Sequence, residues 1–168
     1  AWDPASVITP LIHPARGALM QGLTDLNEGE RWLLEPRRDP KNPRLWSPGL
    51  KVGVREGSFM HVAELFGPVL AVMRADDLHH ALRIVNGTPY GLTSGLFSLD
   101  EREQAFWQAR VRAGNLYINR PITGAIVQRQ PFGGTKSSAV GPGAKAGGPN
   151  YTLQLTRVEQ RELPKVVG

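Results

Sequence analysis

Two short stretches hold the residues whose types and spacing could do chemistry. In "AELFGPVLAV", Ala63 to Val72, one residue separates Glu64 from Phe66, and Gly67 and Pro68 follow. That order sets a carboxylate and an aromatic ring on a tight turn at the start of an apolar strand. A carboxylate so placed can accept hydrogen bonds and a ring can stack, although a plain turn with a solvated glutamate has the same pattern. In "TGAIVQRQPFGGTKSSAVGPGAKAGGP", Thr123 to Pro149, two glycines follow Phe132, and the remainder is too rich in Gly, Ser and Lys to form a core. A surface loop can drift to that composition, so the stretch calls for a functional explanation only if the rest of the chain supplies one.

Other chemistries find little support. The chain contains no cysteine, which removes disulfides, thiolate metal sites and any cysteine nucleophile from these 168 residues. His79 and His80 are adjacent rather than four apart, so a helix would not turn both toward one metal, and His13 and His61 are isolated. HExxH and GxSxG motifs are absent, and "GPGAKAGG" lacks the Lys-Ser/Thr ending of a phosphate loop. No metal site is expected.

The elements that must position these residues follow from periodicity. Ala15, Ala18, Leu19, Leu23 and Leu26 share one helical face over Pro14 to Leu26, with Pro14 suited to the first turn. "RWLLEP" and "LKVGV" read as strands around a proline-rich loop, and Val69 to Ala75 reads as a buried strand. Asp76 is expected to open a helix whose apolar face is Leu78, Ala81, Leu82 and Val85, ending at Gly87 and Pro89. "LTSGLFS" is a further strand. Asp100 and Glu103 then form a capping-box pattern for a helix running to Gly114, and "GNLYINR" is the next strand. "YTLQLTRVEQREL" alternates as one terminal strand, a candidate for pairing with another subunit. Strands alternating with helices predict an α/β layered domain with a mostly parallel sheet.

The net charge of +5 is unevenly placed. Ten Lys and Arg meet ten Asp and Glu through Leu99, whereas ten meet five from Asp100 onward. A basic second half suits an anionic partner or a solvated face. The basic residues are scattered without interleaved aromatics, which disfavours nucleic acid. No apolar run reaches the roughly 18 residues of a membrane span, and the start lacks the features of a secretory signal. A soluble, cytoplasmic protein is expected.

"ELFGPV" resembles the signature by which NAD(P)-dependent aldehyde dehydrogenases hold the nicotinamide ribose. "NGTPYGLTSGLFS", Asn86 to Ser98, resembles the family's next segment, and "GNLYIN" and "QPFGG" follow in family order. "NRPITGAIVQRQPFGG" followed by "KAGGPNY" is similar to the members that act on L-glutamate γ-semialdehyde (1-pyrroline-5-carboxylate), which occur alone or within bifunctional proline-utilisation proteins. The resemblance implies NAD as cofactor, with Glu64 accepting from the ribose hydroxyls and Phe66 packing near the nicotinamide. It further implies Gly124 and Ala125 donating backbone N–H groups to the substrate's α-carboxylate, and Phe132 packing on its methylenes. Glycine permits close backbone approach, and successive N–H groups make a concave anion site. Arg120, Arg129 and Lys136 would draw in an anionic aldehyde.

The family needs a cysteine nucleophile, an oxyanion site and a general base. The resemblance puts the cysteine, the base and the Rossmann segments before Ala1, so this chain is expected to be a C-terminal part, inactive alone. The resemblance implies residues 1–149 as a partial catalytic domain, with a substrate loop over 120–149, and 150–168 as an oligomerisation strand and tail. The remainder of the parent polypeptide and further copies of the chain are the implied partners. A different possibility is a non-catalytic module that borrows the fold and packs on a partner dehydrogenase, which would have no need of either residue pair.

Overall fold

The computed structural model describes residues 8–124, 133–140, 152–157 and 159. The chain divides into two compact units, Ala1–Thr88 and Pro89–Gly168. The boundary expected at 149/150 lies outside the described residues.

In the first unit, helix α1 spans Gly17–Thr24, strands β1 and β2 span Arg31–Leu34 and Gly49–Val52, and a short helix α2 spans Phe59–Val62. Strand β3, Val69–Val72, and helix α3, Leu78–Asn86, complete it. α1 starts three residues after Pro14, because Arg16 is extended and Gly17 has φ +53, a left-handed step that no continuous right-handed helix can take. At its other end the Thr24 hydroxyl donates to the Met20 carbonyl and Asp25 is already extended, which leaves Leu26 beyond the helix. Ala15, Leu23 and Trp46 form the buried core, with Leu11, Leu19, Met20 and Val69 packed on it.

The loop after β1 folds back through hydrogen bonds from Asp39 N–H to Leu45 O and from Ser47 N–H to Arg37 O, so β1 and β2 pair antiparallel. β2 and β3 pair parallel, Gly49 opposite Val69 and Val52 opposite Val72. The strand expected to be buried at β3 is only partly buried, and on one face. Val69 meets the core, while the alternate residues Leu70 and Val72 are 62% and 43% exposed. Parallel strands ordinarily have both faces covered.

Lys51 is buried among these strands, 1% exposed. Its ammonium donates to the Asp25 carbonyl at 2.5 Å, lies 3.7 Å from the Glu30 carboxylate and sits 4.7 Å from the Trp32 ring centre. Glu30 also accepts from the Asn27 backbone and side-chain amides. Burial lowers the Lys51 pKa from its ordinary value of 10.5, against the opposing pull of Glu30.

α3 is capped by Asp77, not Asp76, its carboxylate accepting from His80 N–H at 2.7 Å. Leu82 and Ile84 are its buried residues, whereas Val85 is exposed. The reason is tertiary: His61 accepts from Gly57 N–H at Nδ1, so Nε2 carries the proton and donates to the Ile84 carbonyl at 2.8 Å, bringing α2 to that side of the helix.

In the second unit the strand expected at "LTSGLFS", residues 92–98, is β5, Thr93–Leu96, and a separate two-residue strand, β4, Tyr90–Gly91, precedes it and joins a different sheet. Helix α4, Glu101–Gln108, leads to β6, Asn115–Ile118, and β7, Thr135–Lys136. β5 and β6 pair parallel, and β4 and β7 antiparallel. Among the described strand pairs two are parallel and two antiparallel, the parallel ladders being the longer. The capping box of α4 is partly indirect. The Asp100 carboxylate accepts from Arg102 N–H, while Ser98 Oγ accepts from Asp100 N–H and donates to Glu103, linking the two halves. α4 stops six residues short of Gly114, after burying Trp107.

The terminal strand expected over 151–163 is, at Thr152–Leu155, a 3-10 turn closed by Thr156 N–H to Leu153 O. A strand needs a neighbour for its backbone groups, whereas a turn satisfies them locally. The other residues of that segment, apart from 156, 157 and 159, lie outside the described residues.

Candidate cofactor turn and substrate loop

The Glu64–Phe66 turn is held from inside by its middle residue. Ala63 N–H closes α2 on Phe59 O, and the chain then leaves in extended conformation. Leu65 packs on α1 so closely that a Cβ on Gly22 would overlap its side chain, and a Cβ on Gly67 would likewise overlap Leu19. With Leu65 directed inward, its neighbours Glu64 and Phe66 are exposed. Phe66 has φ +51 and is 83% exposed. A left-handed aromatic residue costs about 1 kcal/mol, and an exposed ring returns no burial energy, so neither local comfort nor core packing explains it.

Beside Phe66 lies a cleft of about 430 Å³, lined by Ile8–Ile12 on one side and by Phe66, Gly67 and Pro68 on the other. That is the size of a small-molecule site. Leu11 N–H bonds to Arg44 O at 2.8 Å and fixes the 8–12 wall. Sequence reasoning missed this wall, since the apolar residues Ile8, Leu11 and Ile12 have no strand or helix period to distinguish them. An exposed carboxylate, a presented ring and a cleft beside the ring fit a ribose carrying a flat heteroaromatic group.

In the second unit Gly124 has φ +81, is exposed, and has open space where a Cβ would stand. Ala125 and Phe132, the other residues assigned to the aldehyde, and Arg129 lie outside the described residues. The Arg120 guanidinium stacks 5.1 Å from the Tyr117 ring centre and is otherwise exposed. Lys136, left-handed at φ +55, has its pKa lowered by burial and by Arg112 nearby.

Among the described residues no three His, Cys, Asp or Glu side chains gather to hold a metal. His79 is exposed, and His80 Nδ1 lies 3.1 Å from the Asp76 carboxylate on the same turn. No described helix is long and apolar enough to cross a membrane.

A family model described as "Aldehyde dehydrogenase family" matches residues 1–160. The 1-pyrroline-5-carboxylate dehydrogenase of Bacillus subtilis (strain 168) is 36% identical over 152 residues, covering 90% of this chain and 29% of that protein. Among solved structures, Proline Utilization A (PutA) from Corynebacterium freiburgense superposes with a TM-score of 0.85 at 50% identity, over 94% of this chain and 17% of that one. A 1-pyrroline-5-carboxylate dehydrogenase from Thermus with bound NAD gives a TM-score of 0.65 at 35% identity, over 72% of this chain and 24% of that one. The chain thus spans less than a third of the length of each of these relatives.

Proposed function

The chain belongs to the aldehyde dehydrogenase family, and on that premise we propose that it is the C-terminal part of an NAD-dependent enzyme oxidising L-glutamate γ-semialdehyde to L-glutamate in proline catabolism. The overall reaction consumes the aldehyde, NAD⁺ and water and yields the carboxylate, NADH and protons. NAD, when bound, accepts the hydride. The thiol that attacks the aldehyde carbon must come from outside these residues, which contain no cysteine.

The chain's own groups bind and orient. Glu64 accepts hydrogen bonds from the ribose hydroxyls, and the Phe66 ring packs beside the nicotinamide, the two together limiting the positions from which hydride can be accepted. Gly124 and Ala125 present successive N–H groups to the substrate's α-carboxylate, and Phe132 covers its methylenes. The observation that carries this reading is Phe66, whose backbone strain and exposed ring make sense if the ring has a ligand to meet. The open backbone at Gly124 supports an anionic substrate, and the apolar residues exposed on β3 support a larger folded body around the chain. Cytoplasmic location and subunit pairing through the terminal segment belong to the same proposal.

The test is a steady-state assay of the full-length protein carrying this chain, following reduced NAD. Glutamate γ-semialdehyde should be oxidised with far higher kcat/KM than propanal. Oxidation of propanal with no turnover of glutamate γ-semialdehyde would overturn the substrate assignment.

A further inference from the structure

The Glu64–Phe66 turn is entered from α2, a four-residue helix, far below the roughly 12 residues at which a helix begins to hold itself together in water. Contacts from outside must fix its position. The usual local device is not in place: Ser58, just before the helix, makes no side-chain cap, and its Oγ is buried without a hydrogen-bond partner. Instead the third helical residue reaches back. His61 Nδ1 accepts from Gly57 N–H at 2.9 Å, as a glutamate does in a capping box but one residue further out, with Gly57 left-handed at φ +77.

The other ring nitrogen is anchored on α3. Nε2 donates at 2.8 Å to the Ile84 carbonyl, which also accepts from Gly87 N–H at 3.1 Å. Carbonyls at the C-terminal end of a helix are short of partners inside it, so α3 supplies a fixed acceptor and the imidazole occupies it. The ring also lies against the backbone where α3 ends, a Cβ on Gly87 standing 3.4 Å from its Cε1. One half-buried imidazole therefore joins the turn at Gly57, α2 and the end of α3.

Ala63 N–H on Phe59 O closes α2, and Glu64 follows at once, three residues after His61. Leu65 against Gly22 seats the ring side of the turn, but apolar contact carries no direction. The exposed Glu64 carboxylate takes its direction from the helix before it. We propose that His61 is a positioning residue for the cofactor, a strut between α3 and α2 that aims the Glu64 carboxylate at the ribose hydroxyls. This rests on the reading of Glu64 and Phe66 as cofactor contacts. Two bonds to one rigid ring fix both the height of α2 and its rotation. Without them α2 can turn about Met60, its buried residue, and carry the carboxylate off the hydroxyls while Leu65 stays seated. The aldehyde is not held by this turn, so the loss falls on the cofactor.

His61→Ala and His61→Gln should be made in the full-length protein carrying this chain, with NAD binding measured by calorimetry and KM values for NAD and glutamate γ-semialdehyde by steady-state assay. A glutamine amide, like neutral imidazole, has one acceptor and one donor side in a single plane, so it can restore what alanine removes. The Ala variant should weaken NAD binding about tenfold with KM for the aldehyde within about twofold of the parent, and the Gln variant should recover most of the loss. Unchanged NAD affinity in the Ala variant, equal increases in both KM values, or a Gln variant no better than Ala overturns the proposal. If His61→Ala does not fold, His61→Asn keeps an acceptor toward Gly57 but cannot reach Ile84. It should weaken NAD binding by less, and an Asn variant equal to the parent overturns the proposal. Hydrogen exchange over 57–66, read by mass spectrometry, should be faster in the Ala variant, and unchanged exchange also overturns the strut. Faster exchange together with NAD affinity indifferent to Glu64→Gln and Phe66→Ala puts the failure in the cofactor reading. NAD affinity that responds to those two substitutions but not to His61→Ala puts it in the strut.

Discussion

Phe66 and Gly124 are both left-handed and both exposed, yet they offer a ligand opposite things. Phe66 spends backbone energy to present a side chain, whereas Gly124 has no side chain and presents its backbone. Their supports differ in kind as well. The Phe66 turn rests on apolar packing, Leu65 against Gly22 and Leu19 against Gly67, next to a core of Ala15, Leu23 and Trp46. The chain leading to Gly124 rests on the Asn119 amide and on Ile122 against Gly95, and the Asn115 amide bonds to the Gly133 carbonyl. The difference teaches that a flat apolar ring can be held by non-directional packing, while a carboxylate needs backbone N–H groups aimed by directional bonds.

The largest effect expected from this comparison concerns the support of the first unit. Glu30→Ala leaves the buried Lys51 ammonium without its ion-pair partner, and should cost about 3 kcal/mol or more in urea unfolding. A loss near zero would mean that apolar packing alone holds the strands beneath the turn. Next comes Gly124→Val, which puts a β-branched side chain at φ +81 where the backbone should meet the carboxylate. Losing charge-assisted hydrogen bonds worth about 1.5–3 kcal/mol predicts a KM for glutamate γ-semialdehyde raised about 10- to 100-fold, with propanal little affected. Parallel increases for both aldehydes would remove the contrast between bare backbone and presented ring.

The smallest effect is the sharpest. Phe66→Gly and Phe66→Ala both delete the ring and should both weaken NAD binding, measured by calorimetry on the full-length protein. Glycine alone relieves the left-handed backbone, so the Gly variant should be about 1 kcal/mol more stable than the Ala variant. Equal stability of the two would show that the strain at Phe66 is not real, and unchanged NAD affinity would show that its ring meets no cofactor.

Much of this was legible in the residues because it is local. The Glu64–Phe66 turn, β1, β2, β5, β6 and the approximate places of α1, α3 and α4 follow from short-range preference and period. The misses share a cause. Val85 and Ile84 are neighbours on α3, and only the approach of α2 through His61 decides which is buried. The two-residue strand Tyr90–Gly91, just before "LTSGLFS", is too short to show a period, and only its pairing with β7 makes it a strand. The pairing of Lys51 with Glu30 joins residues far apart in the chain, and nothing in either segment announces it.

By itself the sequence determined the chemical inventory and the order of the motifs. It contains no thiol, a carboxylate and a ring on one turn, and glycines where a ligand could approach backbone. Those are covalent facts or preferences acting over a few residues. Only the tertiary structure decided that Phe66 stands left-handed with its ring exposed, that one face of β3 is left uncovered, and that the side chains of Asn115 and Asn119 bond to the backbone at Gly133 and Ser98. Burial and directional hydrogen bonds depend on which distant segments meet, and a residue's own neighbours in the chain do not specify that.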